Sequence, residues 1–200
     1  AGKMPVGWNC TASMLPSVAT PVSSASAAPM PSQITALVVT RYRRPAPPAA
    51  TAVVLTVGNE IVFGDVENTN ASWLARRLAE LGLEVRMLAA VRDSVDEVAE
   101  FLRAEMERTG VVFVTGGLGG TPDDITREAV AEAFGVATEE IPELAESLRS
   151  RFGPRGLGEY AARWARIPQG AVPLENPLGG APGFILGNVH VLPGLPSEME

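Results

Sequence analysis

The chain has 200 residues, 46% of them hydrophobic, a formal net charge of −7 and one cysteine, Cys10. That length and apolar content suit one domain with a real core plus additional chain. The acidic balance excludes a broad electrostatic footprint for nucleic acid, and a lone cysteine excludes an internal disulfide and fits a reducing, cytoplasmic setting.

No apolar run reaches the roughly 18 to 20 residues of a membrane-spanning helix, so no membrane partner is expected. Residues 1–50 are rich in Ala, Ser, Pro and Thr and end in Arg41-Tyr42-Arg43-Arg44-Pro45-Ala46-Pro47-Pro48. Such chain buries little apolar surface and predicts a disordered tail, with a basic docking peptide at Arg41 to Arg44 as the alternative reading. The chain opens on Ala1 and stops at Met199-Glu200 directly after a motif-like run, as a piece of a longer protein would.

The folded domain is expected over residues 51–200. Thr51 to Val57 is a β-branched run stopped by Gly58, the pattern of a strand buried on both faces. A helix follows, with Asn70 as its cap, Trp73, Leu74, Leu78 and Leu81 at helical spacing and Gly82 as its stop. Leu83 to Leu88 reads as a second strand. Ser94 and Glu97 form a capping box ahead of Val95, Val98, Phe101, Leu102 and Met106. Val111 to Val114 is a third strand, and Asp124 to Phe134 a helix closed by Gly135.

Further along, Ile141 to Phe152 reads as helix, Gly153 to Gly158 as a turn-rich break and Glu159 to Arg166 as a short helix. Gly183 to Leu186 and Val189 to Leu192 flank Gly187-Asn188, a tight-turn composition that predicts an antiparallel ribbon. Strands alternating with helices imply a mostly parallel sheet covered by helices on both faces.

The chemistry concentrates in Thr115-Gly116-Gly117-Leu118-Gly119-Gly120-Thr121, which follows the most apolar strand. In an open parallel sheet, ligands sit beyond the carboxyl ends of the strands. Four glycines in five positions let backbone N–H groups approach an anion, with a helix N-terminus behind them. The run lacks the Lys of a P-loop and the G-x-G-x-x-G spacing of a dinucleotide site; a plain tight turn is the alternative.

Asp123 and Asp124 follow directly. Either they cap the next helix, or one of them, Asp124 foremost, holds a divalent cation that reconciles acid with phosphate. Asn59, Glu60, Asp65, Asn68, Asn70 and Asp93 fall on the same rim, although Asp93 also suits a helix cap and the asparagines suit turns and caps. The single histidine, His190, sits among apolar strand residues and reads as structural.

Three runs carry a family resemblance: Gly58-Asn59-Glu60-Ile61, Gly64 to Asn70, and Thr115-Gly116-Gly117-Leu118-Gly119-Gly120-Thr121-Pro122-Asp123-Asp124-Ile125-Thr126. With Asn176 to Phe184 and Leu192 to Met199, they resemble the MoaB/Mog molybdopterin-binding domains over residues 52–200, closest to the N-terminal domain of the CinA (competence/damage-inducible) proteins. The resemblance implies a three-layer α/β/α domain with a C-terminal β-ribbon, forming a homo-oligomer (dimer or trimer).

It further implies a glycine loop, Thr115 to Thr121, that holds the phosphate of a molybdopterin or nucleotide ligand, with Glu60 and Asn70 beside it. Asp93 and Asp124 are implied in catalysis, and Asp124 and Glu60 in binding a divalent cation (Mg, Mn or Co). Two activities follow from the resemblance: metal-dependent hydrolysis of a nucleotide pyrophosphate such as ADP-ribose, or adenylylation of molybdopterin; a non-catalytic pterin carrier is a third. Two positions depart from the pattern, Asn59 where the family usually has Asp and Gly120 where CinA-type members more often have Pro.

Overall fold

The computed structural model describes residues 51–153 and 162–200. The expectations for the tail at 1–50, for the turn at 154–158 and for the start of the 159–166 helix lie outside the described residues.

β1 (Thr51–Val57) is buried at all seven positions. It lies inside a six-stranded sheet between β2 (Glu84–Val91) and β3 (Val111–Thr115), parallel to both. Its alternate residues supply two cores. Val53, Leu55 and Val57 pack with Val98 and Leu102 of α3 (Val95–Met106) and Val130 of α4 (Thr126–Phe134). Ala52 and Val54 face Ala71, Leu74 and Leu78 of α2 (Thr69–Glu80) on the opposite side. A strand that is apolar at every position thus requires a helix layer on each face, the three-layer arrangement.

The chain turns between β1 and α2 through a single helical turn, α1 (Asn59–Val62). The cap of α2 is Asn68, whose Oδ1 accepts from Ala71 N at 3.1 Å, and not Asn70 as the spacing suggested. Asn70 sits within the first turn, where helical geometry aims it at the end of β3. Leu81, placed on the apolar stripe from sequence, is 76% exposed because the helix has ended before it. Asn68 Oδ1 also accepts from Thr56 Oγ1 at 3.1 Å. Asn68→Ala is therefore expected to lower stability by about 1 kcal/mol or slightly more, the value of an N-cap, read from the urea midpoint; an unchanged midpoint would show that the cap contributes nothing.

Ser94 caps α3 by accepting from Glu97 N at 3.4 Å. The reciprocal arm of a capping box is absent, because Glu97 pairs with Arg92 while Ser94 N donates to the Arg92 carbonyl. α4 starts at Thr126, two residues later than expected, and ends on Gly135 in the left-handed conformation.

The C-terminal ribbon forms as expected from β7 (Gly183–Leu186) and β8 (Val189–Leu192), antiparallel to each other. It is not a separate appendage. β8 runs parallel to β3, so the ribbon extends the main sheet in the order β2-β1-β3-β8-β7-β6, with β6 (Val172–Leu174) as a short outer strand. His190 faces Phe113 on the neighbouring strand at 5.1 Å between ring centroids, and burial lowers its pKa.

A two-stranded antiparallel sheet of β4 (Thr138–Glu140) and β5 (Arg166–Pro168) had no sequence signal; Arg166 belongs to this strand and not to the short helix proposed there. α5 (Pro142–Phe152) matches its expected span, and α6 (Pro196–Met199) closes the chain. Among the described residues, no helix is long and apolar enough to cross a membrane.

Candidate functional site

The carboxyl ends of β1, β2, β3 and β8 open on one side of the sheet, where Gly58, Asp93, Gly116 and Gly194 line a cleft of about 490 Å³. This is the location dictated by parallel strands, whose following loops all leave from the same edge. Two glycines make the close approach. Gly116 has φ +101°, and a Cβ there would stand 2.2 Å from the Val57 carbonyl oxygen. Gly194 packs on it in turn, its Cβ position 3.1 Å from Gly116 Cα.

The glycine loop is held from behind through its carbonyls. Thr126 Oγ1 donates to Gly116 O at 2.8 Å. Arg127, 3% exposed, donates to Leu118 O at 2.6 Å and Gly119 O at 3.2 Å. Arg163 donates to Gly120 O at 3.1 Å and to Thr121 O. Desolvation lowers the Arg127 pKa to about 10, against the opposing pull of Glu128 and Asp124, so the guanidinium still carries its charge at neutral pH. Neither arginine lines the cleft; their role is to turn loop carbonyls away from it.

Asp124 is not a helix cap. Its Oδ1 accepts from Gly119 N at 2.8 Å, and its Oδ2 accepts from Thr121 N at 2.8 Å and from Thr121 Oγ1. The carboxylate therefore takes two of the loop amides that a generic phosphate cradle would offer. The N–H groups of Gly117 and Leu118, both cleft residues, make no hydrogen bond to the described residues and stay open to an anion. A carboxylate has about four lone-pair sites, so after three bonds one site on Asp124 Oδ1 is still open.

Asp93 Oδ2 accepts from Asn59 N at 2.9 Å, tying the end of β2 to the start of α1. The bond uses the backbone of Asn59, so an Asn in place of the usual Asp leaves it intact and only removes a charge.

Of the residues singled out from sequence, Glu60, Asp93, Asp123, Asp124, Gly116, Gly117, Leu118 and Gly119 line the cleft. Gly120 and Thr121 do not, and neither does Asp65. Thr115 and Asn70 line a smaller adjoining pocket. Sequence reasoning did not assign Glu198, Trp164 or Gly194 to the site. Glu198 is turned in by Asn176, whose Nδ2 donates to its Oε2 at 3.0 Å, and it lies over Gly180, where a Cβ would meet that oxygen at 2.1 Å. The run from Leu192 to Met199 was a usable signal for Glu198; Trp164 had none.

Five acidic residues (Glu60, Asp93, Asp123, Asp124 and Glu198) thus share a cleft whose wall, among the described residues, carries no Lys, Arg or His. Among the described residues, no three His, Cys, Asp or Glu side chains converge as a self-sufficient metal cage.

The fold and site define a mostly parallel α/β domain with a glycine-loop cleft at the carboxyl edge of its sheet. Residues 53–200 match the family model described as "Probable molybdopterin binding domain". The chain is similar to CinA of Thermoplasma acidophilum, a protein of unknown function by its description, with 36% identity, a TM-score of 0.71, and coverage of 75% of this chain and 91% of that one. It is 42% identical to a CinA-like protein of Frankia casuarinae, covering 74% of this chain and 37% of that protein. A protein of Pyrobaculum arsenaticum is 45% identical over 74% of this chain, which spans 58% of that relative's length. The chain belongs to the molybdopterin-binding (MoaB/Mog) domain family and stands close to the CinA-like proteins within it.

Proposed function

We propose that this domain binds a phosphate-bearing pterin or nucleotide together with a divalent cation and acts on the ligand's phosphate linkage. The observation that carries the reading is the pairing of open loop amides with five acidic residues in one cleft that has no basic side chain among the described residues. A phosphate there would be repelled unless a cation of Mg, Mn or Co type neutralised the acids.

The donor set fits such an ion. Hard cations of this kind are commonly held by one or two carboxylates plus ligand phosphate and water, so the absence of a three-ligand cage among the described residues is the expected arrangement. Asp124, with its open Oδ1 site, and Glu60 are the proposed ligands. The cation would supply charge neutralisation at the phosphate oxygens. This chain's own part is to present Gly117 N and Leu118 N to the phosphate and to hold Asp93, fixed by Asn59 N, as the base that orients a water.

That last assignment makes the reaction hydrolysis of a nucleotide pyrophosphate such as ADP-ribose. The second reading, binding or adenylylation of molybdopterin, is favoured by the family description over residues 53–200. Incubation with ADP-ribose and Mg²⁺, Mn²⁺ or Co²⁺ is expected to release AMP, and calorimetric titration with molybdopterin measures the competing ligand. No AMP with any of the three ions removes the hydrolase; no metal-dependent binding of either ligand removes the whole reading. A dimer or trimer, and a cytoplasmic place of action, accompany the proposal, and light scattering reads the first.

A further inference from the structure

Behind the Gly116–Gly194 contact lies a second, smaller pocket of about 120 Å³, lined by Thr56, Glu60, Glu67, Asn68, Asn70 and Thr115 among others. It shares Val57, Glu60, Gly116 and Gly194 with the main cleft, so the two are adjacent lobes divided by a glycine ridge.

Asn70 is the informative residue. It is 8% exposed. Its Nδ2 donates to Gly194 O at 2.8 Å and to Thr115 Oγ1 at 3.0 Å. Thr115 Oγ1 spends its own proton on Pro193 O at 2.8 Å, so it must accept from Asn70. A backbone carbonyl can only accept as well. Both contacts therefore require the amide nitrogen, and the side chain cannot be flipped. Its Oδ1 is left as a buried acceptor with no partner, an arrangement that is costly unless something donates to it.

Glu67 also lines the pocket, and its negative charge disfavours an anion and favours a donor. The pocket's volume of about 120 Å³ leaves room for one edge of a sugar ring.

We infer that this lobe is a subsite for a hydroxyl-bearing sugar, with Asn70 Oδ1 accepting from a ring hydroxyl while the attached phosphate lies across the glycine ridge on Gly117 and Leu118. The inference rests on the phosphate reading above and extends it by stating what stands next to the phosphate.

Calorimetry in Mg²⁺ with AMP and with 2′,3′-dideoxy-AMP, which share base and phosphate, isolates the hydroxyls. The native chain is expected to favour AMP by about tenfold, the effect of one hydrogen bond to a buried group. Asn70→Leu removes the acceptor. Val66→Trp fills the lobe from its exposed rim and leaves the Asn70 anchors untouched, so it serves where the first variant does not fold. The preference should fall to about one in both.

Equal affinities in the native chain, or a preference that survives Val66→Trp, overturn the subsite. Inorganic pyrophosphate with Mg²⁺ reads the glycine-loop lobe separately: if it binds while the AMP preference is missing, only the subsite fails. If neither AMP nor pyrophosphate binds, the phosphate reading fails with it.

Discussion

Gly116→Ala is expected to be the most damaging single substitution at the site, costing on the order of 2 to 5 kcal/mol of stability. Two independent terms add. A side chain at φ +101° costs about 1 to 2 kcal/mol of backbone strain. The new Cβ would also stand 2.2 Å from the Val57 carbonyl oxygen, a backbone atom at the end of β1 that has no side-chain rotation by which to move away. Relief requires parting β1 from the loop after β3, an overpacking cost of about 1 to 3 kcal/mol. Urea denaturation measures the effect, and a midpoint within about 0.5 kcal/mol of the native chain would show that the loop relaxes freely. The cleft should be distorted even in the folded fraction, because Gly194 packs on Gly116 Cα.

The second large effect is on binding. Asp124→Ala is expected to lower affinity for a phosphate ligand, or turnover if the chain is a catalyst, by about 100-fold or more, the range for losing one preorganised electrostatic contact. Stability should fall by only about 1 to 3 kcal/mol, the cost of leaving donors unpaired. The carboxylate holds Gly119 N and Thr121 from one side while Arg127 holds Leu118 O and Gly119 O from the other. Removing it releases the loop and takes away the proposed metal oxygen together.

Asp124→Asn separates these two roles. An asparagine that keeps its oxygen towards Gly119 N preserves part of the brace but offers a cation no charge. If binding of pyrophosphate in Mg²⁺ is as tight in Asp124→Asn as in the native chain, Asp124 braces the loop and the cation is held elsewhere. If affinity drops as far as in Asp124→Ala while the denaturation midpoint stays near native, the carboxylate charge itself is required.

Much of the site was legible because its parts are local. A run of apolar residues ending in glycines marks a strand and its loop without knowledge of neighbours, and the polar residues at 58–70, 93 and 115–126 fell where strand ends must be. What failed was assignment of partners. Asn70 reads as a cap by type and position, yet the cap is Asn68, and the difference is a rotation of two residues around α2 that aims Asn70 at Thr115 and Gly194, 45 and 124 residues away. Asp124 reads as a cap for the same reason, although its bonds run back into the loop. Glu198 reaches the cleft from the Leu192 to Met199 run, which was read only as part of the resemblance, and Trp164 from a segment whose local pattern carries no chemistry.

By itself, the sequence determined the strand–helix alternation, the seven-residue buried strand at 51–57, the hairpin at 183–192 and the location of the glycine loop at the end of a strand, since each follows from short-range periodicity and backbone freedom. Tertiary structure alone decided that the hairpin joins the main sheet beside β3, that two arginines turn the loop carbonyls away from the cleft, and that Glu198 joins the four acidic residues of that rim. The physical reason is one of range. Periodicity records which face of an element is buried, whereas the partner of a buried polar atom is chosen by three-dimensional packing between residues that the chain keeps far apart.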